Sequence, residues 1–231
     1  MSDALQQLYA GHAAYRLPLY TVRQAAYLTG LPLATTARWA AADTGLLVRQ
    51  ADATGLSFLN LVELHVLAAI RRLHQLPLAK VRHAVQYVRA EFKTDYPLAE
   101  RQFETDGVDL FIRELDMLIN ASRRGQVAIR ELVAAYLQRI ERDATGFPLR
   151  LYPLYRANIE TAAEVQDAPV LIAVDPTLSF GRPVLAGAGI PVALVVGRYK
   201  AGDTIDDLVT DYNLPRLAVE EAIRYELGMA A

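Results

Sequence analysis

Three histidines, His65, His74 and His83, recur at intervals of nine residues and are the first side chains whose spacing suggests a metal. On one helix, nine steps of about 100° turn successive rings to opposite sides, and Pro77 interrupts the run, so a shared ion is not expected. The acidic pairs Asp206–Asp207 and Glu220–Glu221 read as solvated helix positions, not as a general acid facing a general base. Neither a Gly-rich phosphate loop nor a local signature of a Ser–His–Asp set occurs. The absence of cysteine removes thiolate metal sites, thiol nucleophiles and disulfides. The expectation is a protein with no catalytic residues, no metal and no cofactor.

Recognition chemistry is better represented. Thr21, Arg23, Thr35, Thr36, Arg38 and Arg49 supply hydroxyl and guanidinium groups in the front of the chain, the types that contact phosphates and base edges. Near the other end, Phe180, Arg182 and Pro183 are followed by Ile190, Pro191 and Tyr199, a set of apolar anchors with one cation among them. The charge distribution parallels this division. Residues 1–95 carry 10 Lys+Arg against 6 Asp+Glu, residues 96–157 carry 9 of each, and residues 158–231 carry 5 against 11. A formal net charge of −2 therefore hides a basic front and an acidic back, which suggests two partners of opposite character.

The elements that must hold these groups follow from local patterns. Thr21 with Gln24 three residues on forms a capping-box pattern, and Gly30 suits the left-handed end of a short helix. Pro32 opens a second helix running to about Ala42, with Trp39 packing inward. Two short helices with a Gly turn between them are a DNA-reading unit. Leu46 to Arg49, a turn at Asp52 to Gly55, and Leu56 to Phe58 predict a hairpin wing. Asn60, with Glu63 following, predicts the cap of the next helix, and a further helix carries Val81, Val85 and Val88. In the middle, Arg101–Thr105, Asp106–Gly107 and Val108–Ile112 predict a β-hairpin, because Asp-Gly tolerates positive φ at both turn positions. A helix is expected from Gln126 to Arg142, then a strand around Phe147–Leu151 that Pro148 and Pro153 mark as an edge. Asn158–Pro169 reads as a polar linker. A strand over Val170–Val174 precedes three helices, at about Val192–Tyr199, from Thr204, and at about Arg216–Leu227 with Gly228 as the stop.

The order helix, Gly turn, recognition helix ending in tryptophan, wing and two more helices, over about Leu19–Ala90, resembles the MerR-type DNA-binding domain. The resemblance implies Thr35, Thr36 and Arg38 on the recognition helix, Arg49 on the wing, and Thr21 and Arg23 near a phosphate. The family often carries basic residues where this chain has Ala34 and Ala37. The long dimerising helix of a MerR regulator is not apparent, since Tyr96–Pro97 interrupts the pattern and no heptads follow.

The last 60 or so residues resemble a small domain associated with VapB-type antitoxins. The matching positions are Asp175–Pro176, Phe180–Gly181, Pro183–Val184, Gly187, Ile190–Pro191–Val192, Ala201–Gly202, Tyr212 and Val219 to Tyr225. A Thr-Arg pair usual in that family is Ala188–Gly189 here. The resemblance implies a cognate PIN-like ribonuclease toxin as partner, and promoter DNA bound by a homodimer. Arg182 is a candidate to occupy an acidic metal site of such a toxin. Phe180, Pro183, Ile190, Pro191 and Tyr199 are candidates to cover its entrance.

The expected fold class is mainly α with small β-hairpins. Residues 1–95 would be a winged helix-turn-helix, 96–157 a β-hairpin/helix connector, and 158–231 a three-helix, helix-turn-helix-like domain that binds the toxin. The alternative function is a stand-alone transcriptional regulator whose C-terminal domain binds a ligand or DNA. With no signal-peptide pattern, and the longest apolar run (Pro191–Val196) far below the ~18 residues of a bilayer span, a cytoplasmic location without membrane association is expected.

Overall fold

The structure, a computed structural model, describes residues 12–48, 54–73, 78–119, 123–155, 159 and 161–230. It is mainly helical with two small antiparallel strand pairs. The front unit begins with α1 (Val22–Thr29) and α2 (Leu33–Ala40). Thr21 caps α1 in a complete capping box. The Gln24 backbone N–H donates to Thr21 Oγ1 at 3.2 Å, and the Thr21 backbone N–H donates to Gln24 Oε1 at 2.9 Å. Gly30 ends α1 at φ 66°, a left-handed value costless only without a Cβ, and turns Leu31 into the core. Trp39 is buried on the inner face of α2.

Two expectations here need correction. Leu46 and Leu47 form no strand, and Leu56 instead exchanges backbone hydrogen bonds with Tyr20 (3.0 and 2.7 Å). Phe58 opens a helix and does not end a wing. Arg49 and the turn at Asp52–Ala53 lie outside the described residues. That helix, α3 (Phe58–Leu73), is capped by Ser57, not Asn60. Asn60 is its reciprocal partner, and Asn60 also donates to the Val48 carbonyl at 2.7 Å.

Every residue of α3 from Phe58 to Ile70 is buried, Asn60, Glu63 and His65 among them, so the helix is enclosed on all sides and centres the core of the front and middle of the chain. Packed around it are α1 on one side and α6 (Arg123–Leu137) on another. From α4 (Leu78–Phe92), Arg82 and Arg89 donate to the Thr44, Gly45 and Leu46 carbonyls, holding the loop that follows α2.

The central hairpin expected over Arg101–Ile112 does not form. Its place is taken by a π turn (Phe103–Gly107) running into α5 (Val108–Ile119). Phe103, Gly107, Val108, Phe111 and Ile112 are buried, a helical spacing. Gly107 serves close packing, since a Cβ there would come within 2.7 Å of the Phe103 ring and 2.8 Å of Phe92. Helix α6 also stops before the expected Arg142, because Ile140–Arg142 forms β1, antiparallel to β2 (Pro148–Leu151). The expected linker contains a capped helix, α7 (Ala162–Asp167), with Thr161 and Glu164 as its capping box and Val165 buried beneath it.

The last unit pairs β3 (Ile172–Ala173) with β4 (Val184–Leu185) and adds α8 (Val192–Lys200), α9 (Ile205–Tyr212) and α10 (Arg216–Ala230). A bridge between Leu151 and Val174 joins the two strand pairs. Helix α10 continues past Gly228. The phenol of Tyr27 lies there, and a Cβ would come within 2.5 Å of its oxygen. Buried residues from Ala14 to Tyr225 make one contiguous core.

Candidate functional site

Segments far apart in sequence meet in a cleft of about 230 Å³. One wall is the start of the front unit, Leu19, Tyr20, Gln24 and Leu28. The other comes from the Phe180–Pro183 turn, the Pro191–Ala193 start of α8, and Tyr225, Glu226 and Met229 of α10. The contact behind it is aromatic. Tyr27 and Tyr155 lie against Tyr225 edge to face at 5.1 and 5.0 Å, and the Tyr27 hydroxyl donates to the Tyr225 carbonyl at 2.5 Å. Burial pushes the Tyr27 phenol up to about 12, with Glu226 and Glu221 adding to the shift.

The turn on the cleft rim is conformationally unusual. Ser179, Phe180 and Gly181 have successive positive φ values of 48°, 56° and 75°. A left-handed backbone is costly for a bulky L-residue, and Phe180 receives little packing in return, since its side chain is 72% exposed. Gly181 has no such freedom of replacement, because the Tyr20 hydroxyl lies 2.5 Å from where its Cβ would be. That hydroxyl is buried without a hydrogen-bond partner among the described residues, and burial raises its pKa. Arg182 is exposed and makes no ion pair among the described residues, so its guanidinium is available to a partner.

Four of the six residues expected to touch a toxin, Phe180, Arg182, Pro183 and Pro191, therefore line one opening. Ile190 and Tyr199 do not join them. Ile190 is half-buried against the core with its carbonyl accepting from the Leu185 N–H, and Tyr199 is exposed near the far end of α8. The front-unit wall went unrecognised in the sequence. Its residues lie more than 150 positions from Phe180, and no local pattern encodes that approach.

Among the residues expected to face DNA, Thr21, Arg23 and Arg38 are exposed and Thr35 is half-buried. Thr36 is fully buried, with its hydroxyl donating to the Pro32 carbonyl at 3.2 Å, so it cannot reach a base. His65 and His83 serve separate structural contacts. His65 is buried against the Tyr136 carbonyl (2.9 Å), His83 lies 3.0 Å from Glu114, and His74 is outside the described residues. No group of three or more potential metal ligands occurs among the described residues, and no helix among them is long and apolar enough to cross a membrane.

Residues 172–225 match a family described as a protein of unknown function, DUF433. This segment contains β3, the strained turn, β4, α8, α9 and most of α10. Over 245 aligned residues the chain is 28% identical to a Mycobacterium tuberculosis protein named "Putative antitoxin VapB45", covering 90% of this chain and 94% of that one. A second relative from the same organism, uncharacterized protein Rv2308, is 24% identical, with 90% and 89% of the two chains covered. The crystal structure of Rv2018 from Mycobacterium tuberculosis is similar in fold, with a TM-score of 0.67 at 23% identity, over 90% of this chain and 99% of that one.

Proposed function

We propose that the protein is the antitoxin of a type II toxin–antitoxin pair. In this reading it neutralises a PIN-like ribonuclease toxin by direct binding, and as a homodimer it represses its own promoter through α1 and α2. The observation that carries the reading is similarity across 90% of this chain and 94% of a relative named as an antitoxin.

The cleft supplies the physical means. Phe180 stands out from the rim in a costly backbone conformation, which fits a side chain retained for a partner. Its insertion into an apolar pocket would anchor the complex, with Pro183 and Pro191 as rigid neighbours. Arg182 beside it, exposed and without an ion pair among the described residues, matches the carboxylates of a metal-dependent nuclease, where charge-assisted paired bonds would block the site. On the DNA side, Thr21, Arg23, Thr35, Arg38 and Arg49 are assigned to phosphates and base edges, and Thr36 is withdrawn because it is buried. Two reading heads in a dimer would meet half-sites about 34–36 Å apart.

Co-expression with the product of the adjacent small open reading frame tests the reading. Rescue of growth and co-purification are expected, both weakened by Phe180→Ala and by Arg182→Ala. A neighbour that is neither toxic nor bound would overturn the antitoxin assignment. The stand-alone regulator would then remain, with the cleft as the place to seek a small ligand.

A further inference from the structure

The outer face of α2 has an unusual composition for a helix assigned to DNA. Leu33, Ala34, Ala37 and Arg38 are exposed, whereas Thr36, Trp39 and Ala40 are buried. At about 100° per residue the four exposed positions fill one continuous arc of about 140°. Three of the four side chains are aliphatic, and Leu33, at the first position of the helix, is 46% exposed. Arg38 holds the only side-chain hydrogen-bonding group in the arc. The Thr36 hydroxyl is spent on the Pro32 carbonyl inside the unit.

We infer that α2 reads its operator chiefly through the 5-methyl groups of thymines, with Leu33, Ala34 and Ala37 as the reading side chains. This rests on the DNA-binding part of the proposed function. An aliphatic side chain cannot answer the donors and acceptors of guanine, cytosine or adenine. The thymine methyl is the one apolar feature that a base pair presents in the major groove. Small side chains at Ala34 and Ala37 let the helix lie close to the base edges, so that Leu33 meets methyls at the helix start, where recognition helices make base contacts. The charge fits this occupant. Helices α1 and α2 carry Arg23 and Arg38 and no acidic residue, which suits a polyanion and disfavours a basic protein surface. The half-site under α2 should therefore contain adjacent thymines.

The test uses the full chain and a duplex selected by it from a randomised library, measured by fluorescence anisotropy at fixed salt. Replacing thymine by deoxyuridine removes only the methyl group. A loss of about four-fold per contacted thymine is expected, the worth of roughly one buried carbon. Deoxyuridine outside the selected half-site should change nothing. In Leu33→Ala, which alters an exposed position and leaves the core intact, the deoxyuridine penalty should shrink. Selection of thymine-free half-sites, or full tolerance of deoxyuridine within them, would overturn the inference while leaving DNA binding in place. Failure to select any duplex would remove the DNA-binding assignment itself, and this inference with it.

Discussion

Glu63 lies in the fully buried stretch of α3, and burial pushes its carboxyl up to about 8 despite opposing pulls from Arg89, the Leu98 backbone and Asn60. Below about pH 4.5 the group is neutral in both folded and unfolded chains. As the pH rises from there to about 8, the unfolded chain releases a proton that the folded chain retains, so stability falls across that window. Glu63→Gln should flatten this slope. Its unfolding free energy should lie close to the parent's near pH 4.5 and exceed it at pH 8.5 by on the order of 5 kcal/mol. Equal pH profiles for the two proteins would show that Glu63 is not held neutral. Phe180 allows a second test at this scale. Phe180→Gly relieves the left-handed backbone, worth about 1 kcal/mol, and gives up little buried surface, so stability should hold or rise. Affinity for the proposed toxin should fall at least ten-fold, measured by calorimetry. A drop in stability would mean that Phe180 is a packing residue and not an anchor.

Between elements, Arg139 is the principal clip. It is buried, and its guanidinium donates to the Tyr152, Val165, Ala168 and Pro169 carbonyls, tying the β1–β2 pair to α7 and to the approach to β3. Burial lowers its pKa to about 10, so it stays charged at neutral pH. Arg139→Ala would take the donor from four carbonyls, that of buried Val165 and those of half-buried Tyr152, Ala168 and Pro169, at a cost of about 3 kcal/mol in chemical denaturation. Arg139→Lys should recover only part of that, because one ammonium cannot reproduce the planar fork. The short α7 explains why the segment read as a linker. Six residues with one buried valine give no apolar period to detect, and the Thr161–Glu164 capping box was its remaining sequence signal.

Over the whole molecule, the Phe180–Pro183 turn rests on Tyr20 while Tyr27 rests on α10, so the proposed toxin seat and the proposed DNA-reading unit share one wall. Gln24 belongs to both, as reciprocal cap of α1 and as a lining residue of the cleft. The modest positive charge of the front unit would limit phosphate contacts in the proposed DNA complex. If phosphates are met by Arg23, Arg38 and Arg49, as proposed, the slope of log affinity against log salt should be no steeper than about −3 per protomer. A much steeper slope would require further cationic contacts, placed elsewhere on the chain.

The sequence alone determined the local punctuation of the fold. The Thr21–Gln24 box, the Gly30 stop and the starts of the three closing helices are set by interactions within a few residues, and they form where expected. The aliphatic composition of the α2 surface was equally visible in Ala34 and Ala37. Tertiary structure decided the positions at which a local preference met a larger packing demand. Asp106–Gly107 could have turned a hairpin, but burying Phe103 and Phe111 on one face favoured a helix, with Gly107 making room for two rings. Gly228 could have ended α10, but it serves as a seat for Tyr27. The cleft, too, belongs to the tertiary structure, because Tyr20 and Phe180 are brought together by burial of the aromatic surface behind it and not by any short-range signal along the chain.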